Sequence, residues 1–295
     1  MFGIETHILG DIINVVVDAI RSTLGGVLRT FSRAVESGFD ATVDTLLLVP
    51  AEVTVIAIGL LLWWLVGHKI ALASVAGLAA IALMGLWEMA VDTTVLVLLA
   101  TLAALAVAIP LGVLMGLSDK VASVLRPVLD LMQTMPAFVY LIPAVMFLSL
   151  GKVPAIAATM IWAMPPAIRL TNLGIRGVPP DTFEAASSFG TTRWQLLYKV
   201  QFPLAMPAVM AGVNQCIMMA LSMAVITSLI GGGGLGGEVM RGITRLDVGQ
   251  GFEAGISIVI LAIIFDRTAA ALSRRSQSRT QGITAPSGAM AKAPA

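Results

Sequence analysis

Few residues in this chain could do chemistry, and most are placed where they cannot. His7 and His68 stand far apart, with no Cys or His at ligand spacing, so no metal site is expected. Cys216 is the single cysteine; it lies in an apolar run and reads as a small buried hydrophobe. The run GGGGLGG over 231–237 contains a GxGxxG register at Gly231, Gly233 and Gly236. No Gly-Lys-Ser/Thr follows it and no strand-like run precedes it, so it reads as a backbone break at the end of an apolar segment, not a phosphate cradle. No catalytic, cofactor-binding or metal residue is expected.

One polar segment has a pattern with a mechanical use. Pro179 and Pro180 stop what precedes them, and DTFEAASSFG follows over 181–190. Asp181 with Glu184 three residues on has capping-box spacing, with Asp in the Ser/Thr place. Both acids suit a helix N-terminus. A helix from Thr182 to Phe189 is expected, closed by Gly190 at the position after the last turn. Thr191 or Thr192 then caps a second helix, RWQLLYKVQF, which Pro203 is expected to end. Ala185 and Ala186 would let another surface approach the backbone closely, while Phe183, Phe189 and Trp194 supply apolar bulk. By spacing alone, an ordinary amphipathic hairpin beside the membrane fits equally.

The elements that position this segment are apolar. The 295 residues have a mean hydropathy of +0.94, with 58% hydrophobic and 12% charged residues; a soluble domain carries about a quarter of its residues as charges. Net charge is +1, so nucleic acid is not an expected partner. An all-α integral membrane protein follows. Crossing the hydrocarbon takes about 20 helical residues. About seven spans are expected, at 51–67, 69–87, 94–117, 133–150, 154–170, 204–230 and 254–272. Residues 1–50 carry Ile8, Ile12, Val15, Val16 and Ile20 at helical spacing and read as an amphipathic segment lying on the membrane or on a partner. Its acids Glu5, Asp11 and Asp18, with no basic stretch before them, do not suit a signal peptide. Residues 273–295, rich in Ser, Ala, Pro and base, read as a disordered tail. Gly112 and Gly116 form a GxxxG pair that permits close helix approach.

Short-loop Lys and Arg set the orientation. One set of loops holds Lys69, Lys120, Arg126, Arg169, Arg176, Arg193, Lys199 and the tail arginines; the other holds Lys152, Arg241 and Arg245. The first set is placed in the cytoplasm, which makes 171–203 a cytoplasmic loop and puts the glycine run and the EMAVDT stretch outside.

Glu184-Ala185-Ala186, three residues, Gly190, nine residues, then Val200-Gln201-Phe202-Pro203 resembles the EAA signature of ABC-importer permeases. Val200 and Phe202 stand where the family has Ile and Leu. QTMPAFVYLIPAVMF (133–147), WAMPPAIRLTNLGIRGVPPDTFEAASSFG (162–190) and SLIGGGGLGG (228–237) resemble the glycine betaine, proline betaine and choline branch. The likeness covers roughly 90–272. It implies a type I permease fold with a five-helix core and extra N-terminal helices, in a bacterial inner membrane. It implies that the EAA helix docks into a cleft on a cytoplasmic ATPase subunit, present in two copies. It also implies a soluble extracytoplasmic binding protein, a second permease copy and a quaternary amine osmolyte as cargo. Glu184, Ala185, Ala186, Gly190, Arg193 and Pro203 are the expected coupling residues. ATP is spent by the partner, not by this chain.

Polar residues inside spans are pathway candidates: Gln133, Tyr140, Asn214, Gln215, Ser222 and Thr227, each also explicable as an interhelical hydrogen bond. With only Tyr140 and Tyr198 as tyrosines, an aromatic cage for a quaternary ammonium is hard to assemble here. Three other readings compete: the same class carrying an amino acid or sulfonate, an ion-coupled secondary transporter, and a scaffold without transport. The second needs inverted repeats and mid-membrane ionisable groups, and neither is present.

Overall fold

The computed structural model describes residues 8–284, and among them every regular element is helical. In chain order these are α1 (Ile8–Leu47), α2 (Ala51–Leu65), α3 (His68–Leu83), α4 (Trp87–Leu117), α5 (Asp119–Thr134), α6 (Leu141–Leu148), α7 (Lys152–Arg176), α8 (Pro180–Ser188), α9 (Arg193–Leu196), α10 (Phe202–Thr227), α11 (Gly234–Arg245) and α12 (Val248–Thr284).

The core is α4, α7 and α10 packed side by side. Small residues make this possible. Ala100, Ala104 and Ala108, all fully buried, continue at the same spacing into Gly112 and Gly116. A Cβ on Gly112 would lie 2.6 Å from Thr171 Cβ, and one on Gly116 would lie 2.8 Å from Ile175 Cβ. The GxxxG pair thus brings α4 against α7, because lipid gives apolar helices no hydrophobic reason to associate and close van der Waals contact must do it.

Four helices are long and apolar enough to cross a membrane, or up to six if each of two bent pairs counts as one span; α3 is a further, shorter apolar helix. Several expected boundaries move. α4 begins at Trp87, so the EMAVDT stretch, expected as a loop, is its first turns. At 31 residues α4 is about 46 Å long, more than the hydrocarbon thickness of about 30 Å, so its first turns can lie beyond the hydrocarbon, where Glu88 and Asp92 are tolerated. The expected spans 51–67 and 69–87 form the hairpin α2–α3, whose helices have only 15 and 16 residues; the second stops at Leu83. Pro50 opens α2, and the residue before a proline disfavours helix, so the chain turns by 95° between α1 and α2.

The expected span 133–150 is not one helix. α5 ends at Thr134, a short 3₁₀ turn covers Ala137–Tyr140, and α6 has eight residues. α5 and α6 meet at 109°. Pro136 explains it: Met135, the residue before it, is extended at φ −69°, ψ 134°, which ends α5. The last helix continues to Thr284, past the expected start of a disordered tail at 273. Ala, Arg and Gln are good helix formers and no proline intervenes before Pro286. Residues 285–295 of that tail, and residues 1–7 with His7, lie outside the described residues. The N-terminal segment is the long helix α1, whose Val35, Phe39, Val43 and Leu47 join the core beside α4 and α7.

Candidate functional site

The segment from Pro179 to Pro203 is an arm built from local signals. α8 begins at Pro180, one residue before the expected cap, with Thr182 N–H donating to Pro179 O at 3.1 Å. Proline suits the first helical position, where its missing N–H costs nothing. Asp181 therefore sits inside the first turn and is not the cap; its charge still meets the positive end of the helix. Glu184 and Ala185 are exposed and Ala186 is half-buried. The side chain of Phe183 lies outside the described residues. Gly190 has φ +74°, a left-handed conformation that an L side chain adopts only under strain. Thr191 Oγ1 donates back to Ala186 O at 2.8 Å, closing the joint from the other side.

Thr192 then completes a reciprocal capping box. Gln195 N–H donates to Thr192 Oγ1 at 3.3 Å, and Thr192 N–H donates to Gln195 Oε1 at 2.9 Å. The helix it starts does not end at Pro203. α9 passes through a π-helical turn, Leu197–Gln201, directly into α10, and the whole stretch Arg193–Ile230 is one apolar helix of 38 residues. The Phe202 N–H reaches Leu197 O, five residues back. Proline at the start of α10 lacks a donor, and the wider turn accommodates that without breaking the rod. So Pro203 marks the root of the arm, not its end. Arg193 is exposed beside Trp194, 78% exposed, and Phe189, 90% exposed. Among the described residues nothing covers these rings on a polar arm.

Two arginines tie the core helices together at the end nearest the arm. Arg176 donates to Asp119 Oδ1 at 2.7 Å, to Met115 O at 2.9 Å and to Asn172 Oδ1 at 3.0 Å, joining α4, α5 and α7. Arg169 donates to Asp130 Oδ1 at 2.6 Å, a second link from α7 to α5. Both had been read only as orientation charges.

The opposite end of the bundle, expected to be external, is closed by contacts distant in sequence. Lys152 at the start of α7 pairs with Asp92 Oδ1 at 2.8 Å and Asp40 Oδ1 at 3.5 Å. Its ammonium lies 4.2 Å from the centroid of the fully buried Phe39 ring. The glycine run is folded onto the same ends: Gly151 N–H donates to Ile230 O at 2.9 Å, and Leu235 N–H donates to Thr93 Oγ1 at 2.8 Å. Glu238 on α11 is almost fully buried, and Arg241 at 2.8 Å and Gln250 at 2.7 Å satisfy its carboxylate. Nothing in hydropathy or spacing signals this closure.

The pathway candidates do not gather at one point. Gln215 and Ser222 are exposed and share a stripe of α10 with Ala211, although Ser222 Oγ donates to Met218 O within its own helix. Asn214 lies to one side of this stripe and donates to Asp266 Oδ1 on α12 at 3.1 Å. Thr227 is buried where α10 meets the glycine run and donates to Ala224 O. Tyr140 is buried, its hydroxyl donating to Met132 O at 2.6 Å and its ring edge-on to Trp162 at 5.5 Å. Gln133 is exposed near the end of α5. No group of three or more His, Cys, Asp or Glu residues able to hold a metal occurs among the described residues.

Residues 108–278 match the family described as "binding-protein-dependent transport system inner membrane component". The chain is 50% identical over 234 residues to the glycine betaine/proline betaine transport system permease protein ProW of Escherichia coli (strain K12), covering 79% of this chain and 66% of that one. It thus spans just under two thirds of that relative. It is 42% identical over 271 residues to the glycine betaine transport system permease protein OpuAB of Bacillus subtilis (strain 168), covering 92% of this chain and 96% of that one. With the glycine betaine/carnitine transport permease protein GbuB of Listeria monocytogenes it shares 53% identity over 69% of this chain and 72% of that one. Among solved structures, the MetNI methionine ABC transporter in an inward facing conformation superimposes with a TM-score of 0.59 over 63% of this chain and 93% of that one. At 18% identity that likeness is one of fold.

Proposed function

This chain belongs to the binding-protein-dependent transport system inner membrane components, and we propose that it is the membrane-spanning subunit of an ATP-driven importer of a quaternary amine osmolyte, glycine betaine first among them. The observation that supports this most is the arm: an exposed Glu184-Ala185-Ala186 tip, a left-handed Gly190 and a capped helix that continues into α10 without a break. The cargo follows from relatives named for glycine betaine, two of them also for proline betaine or carnitine.

The work is divided between chains. The nucleotide is hydrolysed on a separate cytoplasmic ATPase, two copies of which receive the α8 tips of two permease chains. When those copies close, each tip moves. Because α9, the π turn and α10 form one rod, displacement at residue 185 reaches Gln215 and Ser222 deep in the bilayer. α10 packs along α7, and α7 is held to α4 by the glycine contacts and to α5 by Arg169 and Arg176. The bundle therefore responds as a unit, and a bistable interface between two copies turns a small displacement into a change of access. The exposed α10 stripe of Ala211, Gln215 and Ser222 is the face that a second identical copy would meet across the pathway.

The solute needs no tight site here. Tyr140 engages its hydroxyl with Met132 O and its ring with Trp162, one aromatic pair where a quaternary ammonium cage takes several rings. A soluble binding protein outside the membrane holds the cage and delivers the cargo, and a weak pathway lets it leave. The test is reconstitution into liposomes with the ATPase and the binding protein, measuring ATP-dependent uptake of labelled glycine betaine. Uptake inhibited by excess proline betaine or choline, but not by an amino acid or a sulfonate, is expected. Uptake that an amino acid or sulfonate abolishes would move the cargo to that class.

A further inference from the structure

The arm, the α10 stripe and the external closure make no use of a groove of about 360 Å³ between α3 and α12, where apolar walls end in two cations. Its walls are apolar. Ala73 and Gly77 on α3 face Ile260 and Ile263 on α12, and a Cβ on Gly77 would lie 2.6 Å from Ile260 Cγ2, so the two helices nearly touch at its inner end. Its other end carries two cations, Lys69 and Arg267. Both belong to the cytoplasmic side by the distribution of basic residues.

We propose that this groove is a binding site for an anionic phospholipid of the cytoplasmic leaflet, with the phosphate between Lys69 and Arg267 and an acyl chain along Ala73 and Gly77. Three observations carry it. First, α12 is the most peripheral of the four long apolar helices: 17% of its apolar window is buried, against 39% to 61% for the others. Leu72, Val259 and Ile263 around the groove are exposed, so the groove opens toward lipid tails.

Second, among the described residues the two cations are at most weakly neutralised. Lys69 makes no ion pair among the described residues. Arg267 approaches Asp266 only through Nε at 3.9 Å, and Asp266 already accepts from Asn214. The remaining guanidinium donors are free to take a phosphate, which they match geometrically. Third, charge and tail requirements coincide in one cleft. A basic pocket between membrane helices on the cytoplasmic side suits a headgroup of net negative charge, whereas a zwitterionic lipid brings its own ammonium, which competes with Lys69 and Arg267 for the phosphate. A soluble anion would lack a reason for the apolar half.

The experiment uses the full chain, purified, delipidated and retitrated with phosphatidylglycerol or phosphatidylcholine, with bound lipid counted by native mass spectrometry. Retention of phosphatidylglycerol over phosphatidylcholine by about thirtyfold is expected, from two cations at one headgroup. The double variant Lys69→Ala, Arg267→Ala should bring the two lipids level. Lys69→Arg with Arg267→Lys should keep the preference. Ala73→Leu fills the tail slot, leaves both charges, and should lower retention of phosphatidylglycerol; it serves where the double variant does not fold. Equal retention of both lipids by the natural chain overturns the proposal. So does an unchanged preference in the double variant, or crosslinking of the groove to a second copy in place of lipid. The readout is binding, so it stands or falls separately from transport.

Discussion

The two ends of this molecule are held together in opposite ways. The cytoplasmic arm owes its shape to neighbours in sequence: Pro180 at the first turn, Gly190 at φ +74°, and the Thr192–Gln195 capping box. The external end owes its shape to residues brought from far apart, with Asp40, Asp92 and Lys152 meeting over Phe39 and the glycine run resting on Thr93. The difference follows from what each end has to meet. An arm whose exposed rings await a partner cannot lean on its own chain for rigidity, so it carries its stiffness in its caps. An end that closes on itself can use long-range contacts.

If the arm works by local stiffness, the largest effects should come from breaking its joint. Gly190→Pro is incompatible with the positive φ, since proline is fixed near −65°. ATP-dependent uptake should fall to background while membrane insertion and thermal unfolding stay as in the natural chain. Glu184→Lys should do the same by reversing the charge at the tip. Next in size is the core that carries the motion. Gly112→Leu forces side-chain atoms into Thr171 and the Ile168 carbonyl and should destabilise the chain by about 1–3 kcal/mol, read as a lower melting temperature together with reduced uptake.

The external end should respond through stability more than coupling. Lys152→Ala leaves Asp92, whose side chain is only 14% exposed, without its partner. A loss of about 1–2 kcal/mol is expected, with ATP hydrolysis by the assembled complex retained. Lys152→Arg should recover most of it. The smallest effect sharpens the contrast: Thr192→Ala removes one cap, worth about 1 kcal/mol, at a place that bears no core. Global melting should not move, uptake should drop a few-fold, and Thr192→Ser should restore it. A fall in melting temperature with Thr192→Ala, or none with Lys152→Ala, would erase the distinction between the ends.

The same contrast decides what could be read from the chain. The helix–glycine–helix arm was legible because Glu184, Gly190 and Thr192 act within a few residues of one another. The expected end at Pro203 was wrong for a physical reason: proline excludes itself from a helix interior, but a π turn at Leu197–Gln201 removes the need for its donor. The apolar run 133–150 was visible, but hydropathy does not sense direction, and Pro136 turns the chain there by 109°. The starts of α4 and α7 were misplaced because Asp92 and Lys152 looked like loop charges; each is tolerated in its helix because the other neutralises it. Asn214 could not be assigned to α12 or to the pathway, since periodicity gives a face but not what lies across it.

The most direct test places a single reactive thiol at the tip. Cys216 is fully buried, so Ala185→Cys introduces the one accessible cysteine among the described residues. In vesicles transporting glycine betaine with the ATPase assembled, a short bifunctional reagent should join residue 185 to the ATPase, and trapping the nucleotide-bound state should change the yield. A tip that never joins the ATPase while uptake proceeds would contradict the arm as the route by which force enters the membrane.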